Sequence, residues 1–228
     1  MSYQKNINDK LALGYGSKYQ LLRMLGWHRN EFNKVLSQTL NVDKNIEWFD
    51  FEFAGPCDNE LLNLDFIPEL KNDWREYWTC GRANGGLHWD AVGRSADGTF
   101  ILVEAKAHLR ELNSSAGGKA DSKTKNNQRI DLFLQKYKIN SSAEIWSKKF
   151  YQLANRLVIT DYLLSKGYKA KLVYLLFENG FEYNCESPKS ASRAEWEEKM
   201  EREFVATGLK GTDAEKLVNI CIVNCNRK

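Results

Sequence analysis

The stretch Asn84–Leu109, NGGLHWDAVGRSADGTFILVEAKAHL, constrains this chain more than any other. It reads as two strands joined by a tight turn. A run as apolar as FILVEAKA, residues 100–107, belongs in a strand buried on both faces. Yet it carries Glu104 and Lys106. Charges are too expensive to bury without partners, so something must use these two.

The turn fixes what that partner is. Ala96-Asp97-Gly98 reads as a three-residue hairpin loop, with Gly98 in the left-handed position such loops need at their end. Ser95 then faces Thr99, and the same register carried up the ladder sets Asp90 opposite Glu104. Directly opposed residues share a face, with Cβ atoms ~5 Å apart. The two-residue period of a strand puts Lys106 beside Glu104 and turns Ala105 the other way. Two carboxylates at that separation repel unless a cation lies between them. Mg²⁺, with Mn²⁺ as a substitute, suits such all-oxygen ligands, and the backbone carbonyl of Ala105 would complete the protein's share. A metal held there would stabilise phosphate charge and lower the pKa of a bound water. Lys106 would orient that water or stabilise the transition state.

The remaining chain supplies helices and strands around the hairpin. Residues 17–40 have helical periodicity through Leu21, Leu25, Phe32, Leu36 and Leu40, with Ser17 as the cap and Gly26 as a point of division. Residues 46–53 alternate as a strand, and a short helix follows Pro68. Residues 113–127 read as a loop by composition, and 128–138 as a short helix. The longest helical pattern covers 143–166, with Phe150, Leu153, Leu157 and Leu164 near one face and Gly167 as its stop. A buried strand over 171–178, an amphipathic helix over 190–207 and a last strand over 216–223 complete the order. The expected fold is α/β, a central mixed sheet flanked by helices. It forms one domain over 1–228, with a core of about 17–178 and a C-terminal helix-and-strand elaboration over 179–228.

Composition narrows the class further. A chain of 228 residues, 43% hydrophobic with seven Trp, can bury a core without disulfides, and the Trp are expected in it. No apolar run approaches the ~20 residues of a membrane span. The polar start MSYQKNINDK has no signal-peptide core. Five Cys without metal-site spacing fit a reducing cytoplasm, and Cys221 and Cys225 are expected as strand residues. The net charge of +3 is too small to imply nucleic acid by itself.

Asp90, followed by Glu104-Ala105-Lys106 at the end of an apolar strand, resembles the motif of the PD-(D/E)XK nuclease superfamily. The order helix, strand, hairpin, long helix, strand is similar to that superfamily's restriction-endonuclease-like αβββαβ core. Trp89 stands where the motif's Pro would be. The resemblance implies Asp90 and Glu104 as metal ligands and Lys106 as the catalytic lysine. It also implies a polar residue on the following helix, for which Gln152 is the candidate, and in some members an acid on the first helix, where Glu31 could serve. His88 would share the face of Asp90 but is expected to be structural. Duplex-cutting members often work as dimers, so a homodimer is among the implied assemblies.

The charge distribution fits that expectation. Residues 119–138 and 146–171 are locally basic. Lys119, Lys123, Lys125, Arg129 and Arg156 are the candidate contacts to a phosphate backbone. The expected function is Mg²⁺-dependent hydrolysis of phosphodiesters, in DNA. The alternatives are a module of the same fold that binds nucleic acid or a protein without cutting, and a metal-dependent phosphoesterase for small substrates.

Overall fold

The hairpin lies at the middle of a five-stranded mixed sheet in the computed structural model, which describes residues 16–49, 61–79, 86–115, 120–180 and 190–225. In chain order the strands are β1 (Ile46–Trp48), β2 (Leu61–Leu62), β3 (His88–Trp89), β4 (Ala91–Ser95), β5 (Phe100–Lys106), β6 (Ala170–Glu178) and β7 (Val218–Asn224). The sheet order is β1-β4-β5-β6-β7. β4 runs antiparallel to both of its neighbours, β1 and β5, and β6 and β7 continue from β5 in parallel. β2 and β3 form a separate two-stranded ribbon.

The expected hairpin register is present. Ala91 faces Val103 and Arg94 faces Phe100, and the Ser95 N–H donates to the Thr99 carbonyl at 3.0 Å. Asp97 locks the loop, because its Oδ1 accepts from the Ser95 hydroxyl at 2.5 Å and from the Thr99 N–H at 3.0 Å. Those two bonds hold its carboxyl down to about 2. Gly98 has φ of 84°. A side chain in that left-handed conformation costs roughly 1–2 kcal/mol, so Gly98→Ala is expected to lose about 1 kcal/mol in urea denaturation. An unchanged midpoint would contradict this turn geometry.

Because β5 and β6 are buried on both sides, each contributes alternate residues to two cores. Phe100, Leu102, Leu172 and Leu176 face one cluster, and Ile101, Val103, Val173 and Leu175 face the other. The second face is covered by α1 (Ser17–Trp27) and α2 (Arg29–Leu40). The first is covered by α3 (Lys71–Tyr77), α4 (Ala120–Lys136), α5 (Ala143–Lys149), α6 (Tyr151–Ser165) and α7 (Arg193–Thr207). Six of the Trp side chains are buried, as expected of core residues; Trp27, at the end of α1, is 88% exposed.

Several elements depart from the sequence reading. The break in the first helical stretch comes at His28 rather than Gly26. Gly16 occupies the cap position, while Ser17 is the first helical residue and hydrogen-bonds Glu111 instead. The strand expected over 46–53 ends at Trp48 in its described part, and residues 50–53 lie outside the described residues. Pro68–Leu70 form a 3-10 turn that leads into α3, as expected of the residues after Pro68.

The residues read as a loop up to Asn127 are helical from Ala120. Polar side chains anchor that helix where apolar ones were sought. The Asn126 amide pairs with the N–H and carbonyl of Thr79, both at 3.0 Å, and Asn127 accepts from the Ser147 hydroxyl. The single helix expected over 143–166 is interrupted at Phe150, where φ is −129° and ψ 31°. Ser114 lies against the break: its N–H donates to Lys149 O at 3.1 Å, and its carbonyl accepts from Tyr151 N–H at 3.2 Å. An inserted backbone segment thus takes up groups the helix would have paired internally. Leu164, expected on the apolar face, is 37% exposed, while Gly167 ends the helix with φ of 84°.

At the C-terminal side, α7 begins with a capping box between Ser192 and Glu195 and ends at Gly208. The last strand starts at Val218, after a 3-10 turn that includes Lys216. Cys221 lies in β7 and Cys225 one residue beyond it; both are buried and free, and burial pushes their thiols up to about 11 and about 12. Cys57, Cys80 and Cys185 lie outside the described residues. Among the described residues no helix is long and apolar enough to cross a membrane.

Candidate active site

Beyond the Ala91–Val103 pair, β4 and β5 part. Trp89 turns away to pair with Leu61 in the ribbon, and its buried indole donates to Asn63 O at 2.8 Å. Asn63 anchors that ribbon. Its Oδ1 accepts from Leu87 N–H at 3.1 Å and from the Trp74 indole at 3.3 Å. Gly86 must lack a side chain there, since an added Cβ would lie 2.8 Å from the Asn63 amide carbon.

The parting of the strands leaves Ala105 without its ladder partner, and Asp90 takes that place. Its Oδ2 accepts the Ala105 N–H at 2.6 Å. In an antiparallel ladder a residue's N–H and C=O project toward the same neighbour. The Ala105 carbonyl therefore points to the side of Asp90 as well. The register placed Asp90 and Glu104 together, and the ribbon decides how they are presented.

Glu104 lies on the sheet face covered by α6. Its Oε1 accepts from Lys106 Nζ, and its Oε2 accepts from Arg156 Nε at 2.7 Å, with Arg156 Nη2 also 2.7 Å away as an ion-pair contact. Arg156 also donates to the His88 carbonyl and to Asn155 Oδ1, and its guanidinium sits 4.4 Å from the centre of the Trp89 ring. Lys106 Nζ donates to Gln152 Oε1 at 3.2 Å. Gln152 is held in turn by its N–H on Ser114 Oγ at 2.8 Å, so the interrupted helix serves to present it. Glu104, Lys106 and Arg156 are 2%, 5% and 3% exposed, while Asp90 and Gln152 are only half-buried. Solvent reaches the cluster on the side of Asp90 and Gln152.

The electrostatics follow from this asymmetry. Burial raises the Asp90 carboxyl, Glu104 adds to it, and the result is a pKa of about 7. For Glu104 burial acts in the same direction, but Arg156 and Lys106 outweigh it and hold the carboxyl below its ordinary value. Burial would lower Lys106, yet Glu104 and Asp90 keep it above its ordinary value. Asp90 ionises near 3.8 when unfolded and near 7 when folded, so its contribution favours the folded state most at low pH. That contribution declines as pH rises through this window and is level above it. The urea midpoint of the metal-free protein is therefore expected to fall between about pH 5 and about pH 8, and Asp90→Asn to flatten the decline. An equal slope in both proteins would contradict the environment assigned to Asp90.

Of the residues expected at the site, Asp90, Glu104, Ala105, Lys106 and Gln152 are brought together. Arg156, expected to contact a phosphate backbone, is instead buried as the counter-ion of Glu104. Arg129 folds back on Tyr77, with Nε 3.2 Å from its carbonyl and the guanidinium 4.3 Å from the ring centre. Lys123 and Lys125 are exposed on α4, and Lys119 lies outside the described residues. Glu31 is exposed on α2, which covers the other face of the sheet, so it does not join the cluster. The His88 side chain is exposed, and its backbone carbonyl is what the site uses.

Two participants were missed. Ser114 fell in a segment that composition marks only as a loop. Glu111, whose Oε1 accepts from Ala107 N–H at 3.2 Å, is raised by burial against the pull of Lys106. Nothing in the local sequence marks it. Among the described residues no three His, Cys, Asp or Glu side chains converge as a metal site. The protein's ligands would be Asp90, Glu104 and the Ala105 carbonyl. Comparison with family models, curated proteins and solved structures finds no match to this chain.

Proposed function

We propose that the chain is a metal-dependent nuclease of the PD-(D/E)XK type that hydrolyses phosphodiesters in DNA. The observation that carries this reading is the cluster of Asp90, Glu104 and Lys106 where the pairing of β4 with β5 ends, with Asp90 bound to the Ala105 N–H and Lys106 to Glu104. The order of elements supports it too. A helical pair, an antiparallel run of three strands, a helical crossover and a parallel strand follow one another in the order expected of a restriction-endonuclease-like core.

The donor set fits Mg²⁺. Carboxylate oxygens have about four lone-pair sites between them, so Glu104 retains acceptor capacity beside its two hydrogen-bond donors and Asp90 retains more. The Ala105 carbonyl adds a neutral oxygen of the kind hard cations take. Bound there, the metal supplies a water of lowered pKa and offsets charge on the phosphate. Arg156 keeps Glu104 ionised and fixed in orientation. Lys106, held between Glu104 and Gln152, would use its ammonium to hold the attacking water or a phosphoryl oxygen. Gln152 restrains that ammonium through its amide oxygen.

One observation favours a second reading, a module of this fold that binds without cutting. Glu104 is already paired with both Lys106 and Arg156, and Asp90 is bound to the Ala105 N–H, so the cluster can persist without a metal. A cleavage assay separates the two. Plasmid, linear duplex and single-stranded DNA are incubated with Mg²⁺, Mn²⁺ or chelator, alongside Lys106→Ala and Glu104→Ala. Cleavage that needs metal and is lost in both variants is the expected result. Cleavage that survives both sinks the site, and retention of DNA without cleavage under any metal favours the binding module.

A further inference from the structure

We propose that the groove between α2 and the tip of the hairpin binds the phosphate backbone of a nucleic acid, as a second contact remote from the candidate active site. The choice of a nucleic acid over another polyanion rests on the function proposed above. The groove has a volume of about 1250 Å³. Its tip residue Gly98 precedes Glu104 by six positions along an extended strand, roughly 20 Å at the rise of a β-strand. It belongs to the far end of the sheet, and α2 lies on the face opposite α6.

Its lining is basic. Arg29, Lys34, Lys44 and Arg94 contribute four cations against the single carboxylate of Glu47. Lys34 and Lys44 are exposed and have no ion-pair partner among the described residues. Arg29 spends its Nε on Leu25 O at 2.7 Å, and Arg94 lies over the Phe100 ring; both stay at the groove wall. Two flanking carboxylates are committed to their own turns, Asp43 to Asn45 N–H and Asp97 to Ser95 and Thr99.

The rest of the lining separates possible occupants. Asn30, Asn33, Ser37 and Gln38 form a neutral polar stripe on α2, interleaved with Arg29 and Lys34 at helical spacing. Ile46 and Ala96 are the apolar contributors, Ile46 is buried, and among the described residues no aromatic side chain lines the groove. A protein partner would need an aromatic or aliphatic hot spot there. Small-molecule sites are lined mainly by hydrophobic and aromatic side chains, whereas charged, amide and hydroxyl residues predominate in this groove. Cations interspersed with Asn, Gln and Ser donors are what phosphate and sugar contacts use.

The test is fluorescence anisotropy in chelator with a labelled duplex of about 30 base pairs, titrated across salt concentrations. Lys34→Glu/Lys44→Glu is expected to lose roughly tenfold or more in affinity and about two units of salt slope. Lys71→Glu/Lys210→Glu reverses the same charge at residues on the other face of the sheet and is expected to bind as wild type does. Wild-type affinity in the groove variant, or an equal loss in the control, overturns the proposal. Groove-dependent binding by a wild type that never cleaves in Mg²⁺ refutes the nuclease reading alone. Cleavage with no effect of Lys34 and Lys44 refutes the groove alone, and a wild type with no affinity for duplex refutes both.

Discussion

Arg156→Ala is expected to lose about 3–5 kcal/mol of stability, enough to unfold a large share of the protein near its ordinary working temperature. Glu104 is 2% exposed, and Arg156 meets one of its oxygens with two nitrogens. Removing the guanidinium leaves a buried carboxylate facing Asp90 with Lys106 as its remaining counter-charge. It also leaves the His88 carbonyl without that donor and strips a cation from the face of Trp89. Lysine is a poor substitute because it cannot present the same planar fork. Arg156→Met combined with Glu104→Gln should recover part of the loss, since it removes both charges together. Urea denaturation at neutral pH reads all three proteins. A loss below about 1 kcal/mol for Arg156→Ala would mean that Glu104 does not depend on this pair.

The second large effect concerns Lys106, and it is kinetic. Lys106→Met keeps much of the side-chain volume while removing the ammonium. It is expected to lower kcat and kcat/KM together by roughly 10²–10³-fold, as loss of a group that acts in the transition state does. Gln152→Ala acts through Lys106, so its effect should be smaller, on the order of tenfold. A raised KM with unchanged kcat in Lys106→Met would assign the residue to substrate binding instead. The residual Glu104–Arg156 pair keeps this variant folded, so a denaturation midpoint measured alongside separates chemistry from stability.

The centre of this arrangement was legible because a hairpin register follows from one turn. Asp97 and Gly98 define a three-residue loop, and each ladder step from it holds as far as Ala91 and Val103, which brings Asp90 to the end of β5 beside Glu104. Long-range features had no such local signal. The ribbon that draws Trp89 from β5 depends on Asn63, more than twenty residues earlier, and on a close approach at Gly86. The break at Phe150 depends on Ser114, whose backbone enters from another segment. The helix from Ala120 is held by amides of Asn126 and Asn127, which a hydrophobic periodicity cannot register.

Arg156 illustrates the same limit in charge. Its place one turn after Gln152 marked it as belonging near the site. Whether it faces a phosphate or a carboxylate depends on Glu104, Trp89 and His88, which three-dimensional packing brings to it. Local basic excess therefore overstated the surface near the motif. The groove at the hairpin tip went unnoticed because its cations come from α2, the segment before β1 and the strand end of β4, no two of which are adjacent in a basic run.

The central claim is that Asp90 and Glu104 jointly hold a divalent cation. Calorimetric titration with Mn²⁺ at about pH 8, where Asp90 is ionised, tests it without requiring a substrate. One Mn²⁺ per chain is expected for the wild type and at least roughly tenfold weaker binding for Asp90→Asn, with the urea midpoint of the variant measured alongside. No binding by the wild type, or equal binding by both proteins, would contradict the claim.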